Sequence, residues 1–129
     1  MIRQAIRDLK DDGLGIRVLV CGGEKLNYPM LHNVLCDLHA GPRVKLIITN
    51  GSTRGAARMV TIWAEAHDVP VRVFRPNHLR FPFFAIALSN RDMLAKGLPN
   101  LVVATPGGIG TADLLRRARA ADIKTWRLS

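Results

Sequence analysis

Negative charge, cysteine and aromatic side chains are all scarce in this chain. Ten acidic residues stand against nineteen Lys and Arg, a formal net charge of +9 over 129 residues. That balance favours anionic partners such as nucleotides or nucleic acid over neutral ones. Fourteen of the nineteen cations are arginine, whose planar guanidinium suits paired contacts with phosphate or carboxylate. The only cysteines are Cys21 and Cys36, with no CxxC and no Cys/His cluster at metal spacing. A disulfide framework and a zinc site are therefore excluded, and both thiols are expected to be buried and free. Aromatic residues make up 5% of the chain, too few for a stacking platform on single-stranded nucleic acid.

Long apolar runs are missing too. None approaches the roughly 20 residues that cross a bilayer, and the N-terminal "MIRQAIRDLKDDG" is charged throughout, unlike a secretory signal. The expectation is a soluble cytoplasmic protein with no membrane partner. The histidines His32, His39, His67 and His78 are scattered without paired metal spacing, so no metal and no cofactor is expected.

What is present is an alternation. The length fits one domain with its own core. Residues 2–10 carry Ile2, Ile6 and Leu9 on one helical stripe, and "DDGLG" breaks it. An N-terminal helix and linker over residues 1–15 are therefore expected ahead of a domain over 16–129. Apolar runs at 16–23, 44–52, 69–76 and 99–108, with "IKTWRLS" at the end, read as five strands. Helical spacing lies between them: Leu31, Val34, Leu35 and Leu38, stopped by Gly41-Pro42; then Ala56, Val60, Trp63, Ala64 and His67; then "TADLLRRARAAD". Residues 81–97, apolar on several sides, read as either a buried helix or a surface for a partner subunit. Alternation of this kind predicts an α/β fold: a Rossmann-like, doubly wound, three-layer α/β/α domain of about five parallel strands. Ligands of such sheets bind outside the carboxyl ends of the strands, where the winding reverses.

Three strand ends carry glycine. "CGGEK" offers Gly22 and Gly23, "TNGSTRG" offers Asn50, Gly51 and Ser52 with Ser52 or Thr53 as a helix cap, and "PGGIGT" offers Gly107, Gly108, Gly110 and Thr111. None has the spacing of a dinucleotide fingerprint or a P-loop. Each alone reads as a tight turn or a ligand loop. Together they converge on one sheet edge, and the third, opening a helix, is the expected phosphate cradle. Arg116, Arg117 and Arg119 form a cationic helix face that reads as solvated or as a phosphate contact.

In order, "RVLVCGG", "IITNGSTRGAARMVTIWAEAHDVPVRVF", "SNRDML" and "LVVATPGGIGTADLL" resemble the SLOG superfamily of Rossmann-like nucleotide-binding domains, and most of all its YspA/YpsA-related branch. The resemblance spans roughly 16–129 and implies a nucleotide or nucleotide-derived ligand, with its phosphate on the "GGIGT" turn. It also implies, by similarity to LOG-type enzymes, a homodimer and a pair of catalytic residues, an arginine and the glutamate of PGGxGTxxE. Arg91 stands where that arginine would be. Leu114 stands where the glutamate would be, and Asp113 is the carboxylate one residue early, a rotation of roughly 100° on a helix. Asp113 also precedes Arg117 by four residues, the favoured order for an ion pair. Further departures are Glu24 in place of an arginine, Ala57 in place of an aspartate, and Ser89 in "SN".

Three functions follow as expectations. The first is nucleotide-derivative binding with weak or absent catalysis. The second is a LOG-like phosphoribohydrolase acting on a nucleoside 5′-monophosphate through Arg91 and Asp113. The third is DprA-like single-strand nucleic-acid binding, motivated by the charge. The apolar segment 81–88 adds a reason to expect a homodimer.

Overall fold

A computed structural model of the chain describes residues 5, 6, 9 and 14–129. The N-terminal helix and linker expected over residues 1–15 lie outside these, apart from Ala5, Ile6, Leu9, Leu14 and Gly15. The elements run β1 (Ile16–Cys21), α1 (Tyr28–Ala40), β2 (Val44–Thr49), α2 (Gly55–Ala66), β3 (Val71–Val73), α3 (Ala85–Ala95), β4 (Leu101–Ala104), α4 (Ile109–Ala120) and β5 (Lys124–Arg127). The five strands form one parallel sheet in the order β3-β2-β1-β4-β5. The expected Rossmann-like α/β fold is what the chain adopts.

The sheet is buried on both faces because β4 is apolar at every position and β1 and β2 are apolar apart from Arg17, Lys45 and Thr49. Val18 and Val20 of β1 join one core with α1 and α2. Leu19 and Cys21, one residue out of phase, join a second core with α3 and α4. Between β3 and β4 the chain crosses back over the sheet to the far side of β1, so α3 and α4 cover the face opposite α1 and α2. The winding reverses between β1 and β4, which pair from Val18↔Leu101 to Cys21↔Ala104.

Two boundaries differ from the sequence reading. β3 keeps only Val71–Val73 of the expected 69–76, because it is an edge strand bounded by Pro70 and Pro76, which cannot donate to a ladder. α3 begins at Ala85 rather than at residue 81. Residues 81–84 are apolar but make a hydrogen-bonded turn instead, with the Ala85 N–H donating to the Phe81 carbonyl at 2.9 Å.

Helix ends owe little to glycine. Arg43, Asp68, Leu98 and Asp122 take positive φ between 52° and 71°. After α2 and α4 the Val69 and Ile123 N–H groups reach back to the Ala64 and Ala118 carbonyls, both at 2.9 Å, as in a Schellman turn.

Cys36 is half-buried rather than buried. It sits among aromatic rings that join α1 to α2, and the Trp63 indole N–H points at its sulfur at 3.4 Å. Trp63 stacks on His67 with centroids 4.4 Å apart, and His39 meets Trp63 edge-on at 5.5 Å. The His39 Nδ1 accepts the Val44 N–H at 3.2 Å, so protonating that nitrogen breaks the bond leading into β2. Burial, then the charge of Arg43 and then His67, hold His39 below the ordinary histidine range. The unfolded chain therefore takes up this proton at a higher pH than the folded chain does. The stability due to neutral His39 is complete above about pH 6.5 and falls as pH drops from there towards the folded value. Urea midpoints measured from pH 8 to pH 5 should decline below about 6.5, and His39→Asn, which keeps an acceptor, should flatten that decline. An identical slope in both proteins would assign it to other groups.

Candidate functional site

A cleft of about 470 Å³ opens at the carboxyl edge of the sheet, against α3 and the start of α4. That is within the range of small-ligand sites, roughly 300–1,000 Å³. Gly22, Gly23, Asn50, Gly51, Ser52, Gly108, Gly110 and Thr111 all line it. The three glycine turns therefore meet at one place. Gly107, Arg91 and Asp113 do not line it.

The three turns are not equivalent. In the first, the Gly23 N–H is committed to the Pro106 carbonyl at 2.8 Å, which ties the end of β1 to the end of β4. In the second, side chains absorb the loop's own donors: Asn50 Oδ1 accepts from the Ser52 N–H at 2.9 Å and Ser52 Oγ from the Arg54 N–H at 3.3 Å. Ser52 and Thr53 do not cap α2; its N-cap is Arg54, with no side-chain cap. The polar side chains close a local turn, a common use of Asn and Ser.

The third turn leaves its donors open. α4 starts from Gly108 with no side-chain cap, and the first N–H groups of any helix have no partner within it. Thr111 lies inside the helix rather than at its cap. Gly108 itself is informative. A Cβ built on it meets nothing within 4 Å. Packing does not call for glycine there. Gly107 differs: a Cβ there would lie 2.2 Å from Thr111 Oγ1, and it faces a second cleft on the far side of the turn with Arg127.

α3 holds this turn in place. Asn90, buried, donates through Nδ2 to the Gly110 carbonyl and to Asp113 Oδ2, both at 3.0 Å. Ser89 donates to the Phe74 carbonyl at 2.6 Å, which fixes α3 to the end of β3. With Asn90 inward, the next residue is turned away. Arg91 is exposed, its guanidinium on Asp92 at 3.3 Å.

Asp113 is fully engaged by its neighbours. Besides Asn90 it accepts from Arg117 Nε at 2.8 Å and from Arg116. Burial by itself would raise its pKa, but the hydrogen bonds from Asn90, Arg117 and Arg116 outweigh it and leave the carboxyl below its usual value. Such a group is anionic, already paired and a poor proton donor at neutral pH. Leu114, one step on, does line the cleft. Glu24 is an exposed carboxylate paired with Arg54 at 3.5 Å, also outside the lining. Among the described residues, no aspartate or glutamate lines the cleft. Cys21 does, but burial pushes its thiol up to about 12, too high for a nucleophile at neutral pH.

Besides Ser89 and Asn90, two further polar lining residues, Arg75 and His78, are not marked as site residues by the sequence. Arg75 crosses from β3 to donate to the Gly51 carbonyl at 2.7 Å. His78 stands in the following turn. Proximity to the end of an edge strand was the only signal for either. Among the described residues, no group of three or more His, Cys, Asp or Glu could hold a metal, and no helix is long and apolar enough to cross a membrane.

A parallel sheet wound in both directions, with a glycine-lined cleft where the winding reverses, defines the class of Rossmann-like ligand-binding domains. Within that class the chain belongs to the YAcAr family, the YspA, cpYpsA-related SLOG family, whose family model matches residues 16–81. The match covers β1 to β3 and the first residues after β3; α3 and the "PGGIGT" turn lie beyond it. Comparison with curated proteins gives no match.

Proposed function

We propose that the cleft binds a nucleotide or nucleotide-derived ligand, with a phosphate against Gly108–Thr111, and that it does little or no chemistry on it. The observation that carries this reading is Gly108, a glycine that packing does not require, at the uncapped start of a helix facing a cleft. A ligand oxygen approaching the backbone closely is a physical reason for it. The absence of a lining carboxylate supports the second half. Cleaving a base–ribose bond builds positive charge on the sugar, which a nearby carboxylate would stabilise. Here Leu114 takes that place in the cleft, and Asp113 is held by two arginines.

Isothermal titration with AMP, ADP, ADP-ribose and inorganic phosphate, paired with chromatography for free base, tests both halves. The expected result is binding of at least one nucleotide-type ligand and no base released from nucleoside 5′-monophosphates. No heat at millimolar concentration with any of them would sink the binding reading. Base release unchanged in Asp113→Ala and Glu24→Ala would favour a hydrolase that uses neither carboxylate.

A further inference from the structure

Among the described residues that line the cleft, Arg75 alone carries a permanent charge. No carboxylate among the described residues pairs with it, whereas Arg54, Arg91, Arg116 and Arg117 each face one. Its place is nevertheless fixed. Arg75 Nη1 donates to the Gly51 carbonyl at 2.7 Å, and Gly51 takes a φ of +75°. A Cβ on Gly51 would lie 2.5 Å from Val73 Cγ1 and 2.9 Å from Arg75 Nη1. Glycine at position 51 thus leaves the room that the guanidinium fills. Of the five N–H donors of an arginine this bond takes one. The others suit the paired oxygens of a phosphoryl group.

The turn beneath Arg75 adds donors. Asn50 Oδ1 is engaged by the Ser52 N–H and Ser52 Oγ by the Arg54 N–H. With those acceptors in use, what the two side chains have left for a ligand is an amide NH₂ and a hydroxyl proton. Both residues line the cleft. A guanidinium, an amide and a hydroxyl with no carboxylate beside them select an anion.

Position decides which anion. Arg75 is held over the end of β2, while α4 opens after β4. In the order β3-β2-β1-β4-β5 those ends are two strands apart, roughly 10 Å at about 4.8 Å per strand. A phosphoryl group seated on α4 therefore leaves the guanidinium to a different group. Between the two ends the cleft passes the Gly22–Gly23 turn, where neither residue has a side chain to divide it. We propose that this end of the cleft is a second phosphoryl subsite, in which Arg75, Asn50 and Ser52 hold a second phosphoryl group of the ligand. The site then takes a nucleotide with two phosphoryl groups in preference to a nucleoside monophosphate. This rests on the reading that a nucleotide phosphate sits on α4. A diphosphate and a 3′,5′-bisphosphate share the required chemistry.

Isothermal titration of the full chain with AMP, ADP and adenosine 3′,5′-bisphosphate tests this. ADP or the bisphosphate should bind at least about tenfold more tightly than AMP, the factor supplied by a charge-assisted hydrogen bond that one ligand makes and the other lacks. A larger gain for ADP sets the two phosphoryl groups side by side; a larger gain for the bisphosphate sets them across the ribose. Arg75→Gln keeps an N–H donor for the Gly51 carbonyl but no charge, and should erase the gain over AMP. Arg58→Gln removes the same charge from an exposed position of α2 outside the cleft, and should keep the gain. AMP bound as tightly as both other ligands overturns the inference and leaves the proposed function standing, as does a gain that survives Arg75→Gln. No binding of any of the three removes the phosphate reading and the inference together. The comparison of ligands uses the wild-type protein, so it holds even if Arg75→Gln does not fold.

Discussion

Gly108→Asp is expected to weaken binding of any phosphate-bearing ligand at least a hundredfold while leaving the protein as stable as before or slightly more so. The two effects have one origin. Gly108 is the N-cap of α4, without a capping side chain. Aspartate is among the best N-cap residues, since its carboxylate accepts from the N–H groups of the first turn and complements the helix dipole. Relative to glycine this is worth a few tenths to about 1 kcal/mol. The added side chain has room, because a Cβ there meets nothing within 4 Å. Yet the donors it satisfies are those proposed for the phosphate, and its charge opposes an anion directly. Thermal melts and titration calorimetry on the same preparation read both quantities. Gly108→Ala separates the causes: it adds bulk without charge, so it should weaken binding by a smaller factor. If Gly108→Asp melts at the wild-type temperature and binds the ligand as before, the phosphate does not sit on α4. Arg75 and the turn at Asn50–Ser52 would then be the place to look.

This contrast between fold and ligand also marks how far the sequence could be read. The strands were legible because a parallel sheet covered on both faces needs consecutive apolar residues, as in "VLVC" and "LVVA". The helices were legible from their spacing. The identity of the cleft followed from topology, since three glycine turns at carboxyl ends of parallel strands must lie on one edge. The one-residue displacement of the carboxylate was legible as well. A step of roughly 100° takes Asp113 away from the cleft and Leu114 towards it, as the lining shows.

Other features depended on partners far apart in sequence. Asn90 matters because its amide reaches Gly110 and Asp113 across two helices, and nothing in "SNRD" announces that. Arg75 and His78 reach the cleft from beyond an edge strand shortened by prolines. Residues 81–97 are apolar on several sides, which fits a buried helix and an outward surface alike, and the helix itself starts only at Ala85. Apolar character shows that a residue seeks burial, not whether its own chain supplies it. Leu79 and Phe83 are left outside, and the meaning of that lies in what covers them.

Gly55→Ala is expected to cost about 2–4 kcal/mol, a far larger effect on stability than that of Gly108→Asp. Gly55 opens α2 with φ +67°, the left-handed region. Alanine there is strained by roughly 1–2 kcal/mol before any contact is counted. The contact is severe: the added Cβ would lie 2.4 Å from the Gly23 carbonyl oxygen and 2.8 Å from its carbon. Both are backbone atoms, so no side chain can swing aside. Relief requires the Gly23 loop to move, and that loop is clamped on its other side by the Gly23 N–H bond to Pro106. Overpacking of this kind typically adds about 1–3 kcal/mol. The displacement also passes from β1 to the turn at Gly107–Gly108, so a variant that still folds should bind the phosphate ligand more weakly although residue 55 does not line the cleft. Chemical denaturation gives the first number and calorimetry the second. Gly55→Ala with wild-type stability would mean that the loops ending β1 and β2 are not pressed together at this point. The convergence of the three turns on a single rigid edge would then lose its physical basis.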